Sequence, residues 1–404
     1  MDQFEKRHLA VNWVDGMLIN SNHFQQLEKS INSRIAQPAG LYINANKYGL
    51  IPDAYNQWIY ELDWDASVNS LHVKHCKAVT PGGWVIDIFP ELNVKITPDI
   101  PKMERESSPH PEGLWAILLH IHPHEPEEIG IPDPSETAKT GTRLPYNIPK
   151  YTLELLPKGS NKAISGSNTL LIGMFQLEAS NLHLLPYEKT DENERLKYFV
   201  PPCINLRSNP VLSEIHIKLR DKLIKIHENA IKTVKNIDEK QIREWDSSVA
   251  IPMRTLGDEI GKYLALHLGP FRLLIPDQPP VYLVNYFVQF ASFFQTILNL
   301  LQDAHKQRLL NFFEVWTKLS PAELEQGFRK ISTLPYSHED IADSVSTLDN
   351  FLTKIHLLFE QMSKLEPKWE EKKKPKETST IVEQKKEENK GGLGGITIRN
   401  IDNS

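Results

Sequence analysis

A long row of apolar residues in the second half of the chain most limits what this sequence can fold into. Asn209-Pro210 provides a helix start, with Asn as the N-cap and Pro as the first helical residue. From there to Ile237 the apolar residues recur with the spacing 3-4-4-3-4-4-3, an eleven-residue repeat that keeps them on one face of a nearly straight helix. The first five members of this row are Leu212, Ile215, Leu219, Leu223 and Ile226. Such a long apolar face needs a partner helix, from the same chain or from another.

A second apolar row follows near the end of the helical region, at heptad spacing. Its first five members are Val345, Leu348, Leu352, Ile355 and Phe359. Between the two rows, the aromatic-rich residues 280–316 are typical of one long helix, and Ser320-Pro321-Ala322-Glu323 predicts a capped helix start. Residues 206–366 are therefore predicted to form a helical bundle, called the neck below.

The first half of the chain has a different pattern. Short apolar runs such as Leu114–Leu119 and Leu170–Phe175 stand between turn-forming residues, which is typical of strands. Because no long helical period separates these runs, we predict a β-sandwich over residues 1–205, called the shell. Glu125–Lys150 is rich in proline and is expected to be a surface loop or extended arm. The predicted fold class is α+β: shell, neck, and a disordered charged and Gly-rich tail over residues 367–404.

Composition removes several classes of function. The formal net charge of -6 disfavours a nucleic-acid partner. Two cysteines in 404 residues indicate a reducing compartment. The most apolar stretch, Val281–Leu301, contains polar residues throughout, so we expect no direct membrane insertion and a cytoplasmic protein.

One cluster suggests metal chemistry. His120, His122 and His124 alternate along a predicted strand and would share one face, as metal ligands do. Pro123 interrupts a regular strand, and no carboxylate or cysteine elsewhere has matching ligand spacing. A metal-dependent enzyme remains an alternative, but the prediction is no enzyme, no catalytic or metal-binding residue and no cofactor.

The N-terminal segment carries a family resemblance. Val11–Gln26 reads VNWVDGMLINSNHFQQ, which resembles the opening of the TssK family, baseplate components of type VI secretion systems. The matching residues are Trp13, Asp15, Gly16, Met17, Leu18, His23, Phe24, Gln25 and Gln26. In the same order as in that family follow a Val-Pro-Pro passage, Tyr198–Ile204, and a Tyr-x-His-x-Asp passage, Pro335–Ile341.

This resemblance implies a structural role as a homotrimeric adaptor. Its shell would attach to the baseplate wedge proteins TssF and TssG, at the cytoplasmic face of the inner membrane when assembled. A second attachment would reach a membrane-complex protein that the sequence does not identify. The two apolar rows of the neck would pair within or between subunits.

For the N-terminal segment two interpretations stay open. Its side chains either contact neighbouring chains or plug the shell of their own chain. The candidate interaction residues are Trp13, Gly16, Met17, His23, Phe24 and Gln25.

The sequence also departs from the family. A typical member continues after the last neck helix into a folded head domain of about a hundred residues. Here only linker-like sequence follows, so we expect a divergent member without that head. Ile396 and Ile398 alternate with polar residues and could add as a strand to a partner's sheet edge, or belong to an ordinary disordered terminus. The alternative function is a phage-tail-like receptor-binding protein.

Overall fold

Among the residues that the structure describes, nine strands form two antiparallel sheets in the first half of the chain. The computed structural model describes residues 9–52, 60–106, 113–132, 144–159, 166–178, 181–185, 199–239, 247–318 and 320–364. The first sheet is built around β3 (Ser70–Val79). Four strands pair with it: β1 (Gly49–Leu50), β2 (Tyr60–Asp65), β4 (Val85–Ile88) and β5 (Lys95–Ile96). The second has the order β7-β6-β8-β9, from β6 (Leu114–Ile129), β7 (Tyr146–Pro157), β8 (Thr169–Glu178) and β9 (Asn181–Leu184).

The two sheets pack face to face. The Trp64 ring lies edge-on to the Phe175 ring, with 4.7 Å between centroids, and the Tyr60 hydroxyl donates a hydrogen bond to the Ile172 carbonyl oxygen. Alternate side chains of β3, among them Leu71 and Val73, are fully buried between the sheets. Interdigitated inner faces of this kind define a β-sandwich, so the predicted shell architecture is confirmed.

The proline-rich segment after His122 is more regular than a loop. Although the ladder is irregular between His122 and Pro126, β6 and β7 resume pairing as far as Ile129 opposite Tyr146. β8 pairs with β6 as far as Thr169 opposite His120, and the Ile121 amide donates to the Asn168 carbonyl oxygen at 3.0 Å. From His122 onward, β7 is the only described strand that pairs with β6. Proline is tolerated there because an outer-edge residue needs no N–H for the ladder.

In the described parts of the chain, helices predominate after residue 209, and two further helices lie before it. They are α1 (Ser21–Tyr42), α2 (Ile100–Glu106), α3 (Pro210–Glu239), α4 (Ser247–Leu273), α5 (Pro280–Leu300), α6 (Asp303–Thr317), α7 (Pro321–Ser332) and α8 (Ile341–Ser363). In the bundle, α3 lies against α4 and α8, and α5 lies against α7. Its centre is aromatic: the Phe294 ring stacks on Phe328 at 4.6 Å and stands edge-on to Phe359 at 6.2 Å. The mixed α+β class is thereby confirmed.

The aromatic-rich segment forms two helices where the sequence predicts one. The backbone becomes extended at Leu301 and Gln302, and Asp303 then begins α6. By length and composition α5 could cross a membrane, but half of its most apolar window is buried inside the bundle. Phe287, Phe290 and Phe294 are fully buried there.

Candidate protein-interaction surfaces

The N-terminal arm, Leu9–Tyr42, begins with a turn folded back onto the start of α1. Gly16 has φ 77, a conformation glycine adopts without strain, and the Met17 amide donates to the Val14 carbonyl oxygen at 3.2 Å. This reversal lets Gln26 Nε2 donate to the Leu9 carbonyl oxygen at 3.0 Å. Gly16 and Met17 therefore shape the turn.

The start of α1 is capped by reciprocal hydrogen bonds. Asn20 Oδ1 accepts from the His23 amide at 3.3 Å, and the Asn20 amide donates to His23 Nδ1 at 3.3 Å. This arrangement satisfies two backbone donors of the first turn, as a capping box does. His23 also meets the edge of the Trp13 ring, with 6.1 Å between centroids. His23 thus has a structural part in holding the arm together.

Apolar side chains of the arm point into solvent. Phe24 lies 6.4 Å from the Trp13 ring between centroids, yet Trp13 is 44% exposed, Phe24 57% and Leu18 87%. The main hydrophobic core contains no described residue of the arm. If Trp13 and Phe24 plugged the shell of their own chain, their side chains would be buried. Both side chains are instead exposed, next to each other. Gln25, next to Phe24, is exposed as well.

The two apolar rows of the neck lie inside the bundle of a single chain. Leu212, Leu219, Leu223 and Ile226 are fully buried on α3, and Ile215 is half-buried. On α8 the members of the second row are equally buried: Val345, Leu348, Leu352, Ile355 and Phe359. Any surface through which the neck meets a second chain must therefore use other residues. Ile396 and Ile398 lie outside the described residues.

The histidine cluster is held by side chains of its own sheet. One ring nitrogen of His120 lies 3.0 Å from Thr169 Oγ1 and the other 3.1 Å from Glu154 Oε2, while His122 Nε2 lies 2.9 Å from Thr152 Oγ1. His124 packs against the Trp84 ring at 5.4 Å. Within the described ranges no group of three or more His, Cys, Asp or Glu side chains could hold a metal ion.

The two later passages of the family resemblance meet at the joint between shell and neck. Pro202 pairs with β1: its carbonyl oxygen accepts from the Leu50 amide at 2.7 Å, and the Ile204 amide donates to the Leu50 carbonyl oxygen at 2.9 Å. His338 Nε2 lies 2.9 Å from the carbonyl oxygen of Tyr48, the residue that precedes β1.

The joint has an ionic component as well. Lys158 Nζ lies 2.8 Å from Asp340 Oδ2, so the residue that follows β7 contacts the N-cap residue of α8. Burial of His338 lowers its pKa to about 4, which keeps the imidazole neutral at physiological pH. These passages, which carry part of the resemblance, are thus structural and hold the two halves together.

Comparison with known proteins identifies solved structures with a similar fold. No protein-family model matches the sequence, and no curated protein matches it significantly. Among solved structures, a crystal structure of TssK matches with a TM-score of 0.50 and 14% identity, over 86% of this chain and 69% of that chain.

Two further structures show weaker likeness. A baseplate complex from a type VI secretion system matches with a TM-score of 0.48 and 14% identity, over 85% of this chain and 99% of that chain. A TssK-TssF-TssG baseplate subcomplex matches with a TM-score of 0.46 and 14% identity, over 85% of this chain and 99% of that chain. From the likeness to the TssK crystal structure we conclude that this chain has the TssK fold.

Proposed function

We propose that this protein is a structural component of a type VI secretion baseplate, with the adaptor role of TssK. The support is the TssK fold, shared over 86% of the chain, together with a resemblance carried by residues of the arm and of the joint. A protein that works by binding needs exposed apolar anchors, and the arm supplies them. We propose no catalytic role, since His120 and His122 are held by hydrogen bonds within their own sheet.

The proposed wedge contact is the N-terminal arm. TssK has been solved in a TssK-TssF-TssG baseplate subcomplex, so TssF and TssG are the partners we propose. Phe24 in the first turn of α1 and Trp13 and Leu18 in the segment before it are exposed. Each large apolar side chain fully buried by a partner contributes about 1.5–3 kcal/mol. Gly16, Met17, His23 and Gln25 would shape and flank this contact.

The proposed assembly is a homotrimer in the cytoplasm, without direct membrane insertion. Three arms on one particle raise the strength of attachment through avidity, because the second and third contacts become intramolecular. On the other side, the trimer would attach to a membrane-complex protein at the cytoplasmic face of the inner membrane. The tail residues Ile396 and Ile398 are proposed as a strand that docks on that partner.

Co-purification with TssF and TssG from the same secretion system tests the proposal. The informative variant is Leu18→Asp, because this side chain is 87% exposed and its replacement removes an anchor without disturbing the core. Leu266→Asp on α4 is the matched control, a leucine 74% exposed far along the sequence from the arm. We expect wild type and Leu266→Asp to retain both partners. The affinity of Leu18→Asp for TssF and TssG should fall at least tenfold. Wild-type protein that retains neither partner contradicts the baseplate role, and equal binding by all three proteins contradicts the arm as the contact.

A further inference from the structure

A groove lies between the end of the N-terminal arm and the start of α5. Its volume is about 510 Å³, within the range of protein ligand sites. Leu41 and Tyr42 line it from the end of α1, and Val281 and Tyr282 line it from the first turn of α5. Leu41 is 84% exposed and Tyr42 71%. The groove is therefore open to solvent, which suits a segment of a larger molecule better than a small ligand that a pocket must enclose.

A turn between α1 and β1 holds the charged side chain of this groove, Lys47. The Lys47 amide donates to the Asn44 carbonyl oxygen at 3.0 Å, and the Asn46 amide donates to Asn44 Oδ1 at 2.9 Å. The next residue, Tyr48, is buried and is joined to His338. The backbone that carries Lys47 is thus fixed on both sides, which lowers the entropy cost of binding through this residue.

The charge of the groove is positive. Lys47 is the one charged residue among the ten that line it, and in the described part of the chain no ion pair or hydrogen bond engages its ammonium group. Asp277, the neighbour of the lining residue Gln278, is already paired with Arg207 at 2.5 Å. A groove with an ammonium group and no carboxylate favours a ligand that brings a carboxylate, because hydrogen bonds between ionised groups are the strong ones.

The neutral lining fits a peptide backbone. A carboxamide group both donates and accepts hydrogen bonds, as do the N–H and C=O groups of an extended peptide. The rings of Tyr42 and Tyr282 are exposed and offer apolar surface to the side chains of such a peptide. Four lining residues carry carboxamides: Asn44, Asn46, Gln278 and Asn285.

We propose that this groove binds an extended, acidic peptide segment of a partner protein. Lys47 holds a carboxylate of the segment, and the carboxamides pair with its backbone. The site is additional to the proposed wedge contact, because Phe24 precedes Tyr42 by 18 residues of α1, about 27 Å along the helix. Since α1 and α5 both line the groove, its occupant joins the end of the arm to the neck.

Random heptapeptides displayed on phage particles test the proposal. Selection on the wild-type protein, with counter-selection on Lys47→Glu, should enrich sequences rich in Asp and Glu. A fluorescein-labelled peptide of the enriched sequence should bind wild type and lose about tenfold or more in affinity for Lys47→Glu, measured by fluorescence anisotropy. The matched control is Lys235→Glu, the same charge change at an exposed position of α3, which should bind like wild type.

A pair of tyrosine variants tests the groove without changing its charge. Tyr282→Ala removes a ring that is 50% exposed in the groove, and Tyr146→Ala removes one that is 67% exposed on β7. The same peptide should bind more weakly to Tyr282→Ala and equally well to Tyr146→Ala. Both side chains are exposed, so circular dichroism should show that both variants are folded.

Three outcomes overturn the proposal. The first is a selection that yields no peptides or peptides without acidic residues. The second is equal binding of the enriched peptide to wild type and Lys47→Glu. The third is an equal loss for Lys47→Glu and Lys235→Glu, which would show attraction to the overall charge of the protein. TssF and TssG take no part in these measurements, so the result does not depend on the baseplate role.

Discussion

His338 and Tyr48 are joined by a hydrogen bond that links the neck to the shell. The Nε2–H of His338 donates to the backbone carbonyl oxygen of Tyr48 at 2.9 Å, across 290 residues of sequence. Its Nδ1 accepts from the Tyr336 hydroxyl at 2.6 Å, and the side chain of His338 is buried. Because a carbonyl oxygen can only accept, Nε2 must carry a hydrogen. Burial lowers the pKa of His338 and keeps the ring neutral at physiological pH, so Nδ1 is the acceptor.

His338→Leu should lower the free energy of unfolding by about 2–4 kcal/mol at pH 7.5. The leucine fills similar space but leaves the Tyr48 carbonyl and the Tyr336 hydroxyl without their partner, and each buried unpaired group costs about 1–3 kcal/mol. Urea unfolding followed by circular dichroism measures the change. His183→Leu, at an exposed position on β9, should stay within about 0.5 kcal/mol of wild type. Equal effects of the two substitutions would show that the joint does not depend on this histidine.

The stability advantage of wild type over His338→Leu should depend on pH. Burial lowers the folded-state pKa of His338 from 6.5 to about 4, so between these values the unfolded chain binds a proton that the folded chain does not. Stability from the neutral ring is complete above pH 6.5 and falls as the pH is lowered towards 4. The advantage over His338→Leu should shrink across that window by about 3 kcal/mol. Urea midpoints of both proteins from pH 7.5 to 4 provide the test.

Comparison of the two proteins isolates His338 from other groups. Burial also lowers the pKa of His216, but that residue is common to both and cancels in the difference. A constant difference between the two proteins across the window would contradict a neutral, buried His338.

Gly49→Ala should be strongly destabilising. Gly49 has φ 107, and a Cβ there would stand 1.9 Å from the Pro202 carbonyl oxygen, which accepts the bond from Leu50. We expect a loss of about 3 kcal/mol or more, from backbone strain and from displacement of this strand pairing. In contrast, Gly327→Ala in α7 meets no atom within 4 Å and should gain about 0.5–1 kcal/mol through helix propensity. Thermal melting of both variants distinguishes them, and similar melting temperatures would exclude a close approach at Gly49.

Local patterns predict the neck well where its signals are regular. Asn209-Pro210 does begin α3, and Ser320 and Glu323 form the predicted capping box. Six members of the row from Leu212 to Ile237 are buried as predicted, but Ile215 and Val234 are half-buried, and the polar residues His216 and Thr233 are buried in their place. The buried face therefore follows a heptad spacing, which a count of apolar residues alone does not predict. The sequence pattern does not predict α4, because it contains Pro252 and Pro270, and a proline inside a helical pattern is taken as the end of a helix.

Other features have no local signal. The sequence pattern does not predict the arm helix α1, because Phe24, Ile31 and Ile35 on it are exposed and do not form the apolar stripe of a helix that packs on its own core. The break between α5 and α6 lies at Leu301 and Gln302. No Gly or Pro stands there, so the strongest sequence signals for the end of a helix are missing. The joint between Tyr48 and His338 is a contact between distant residues, which no window of sequence contains.

The joint also sets an order of events during synthesis of the protein. Tyr48 leaves the ribosome 290 residues before His338, and at about 5–20 residues per second that interval lasts on the order of 15–60 seconds. Throughout this time the strand Gly49–Leu50 lacks the cover that the start of α8 later provides. The shell of the growing chain must therefore wait for this contact until His338 has been synthesised. We expect this wait to be the slowest step in folding, and chaperone binding to ribosome-attached chains would detect it.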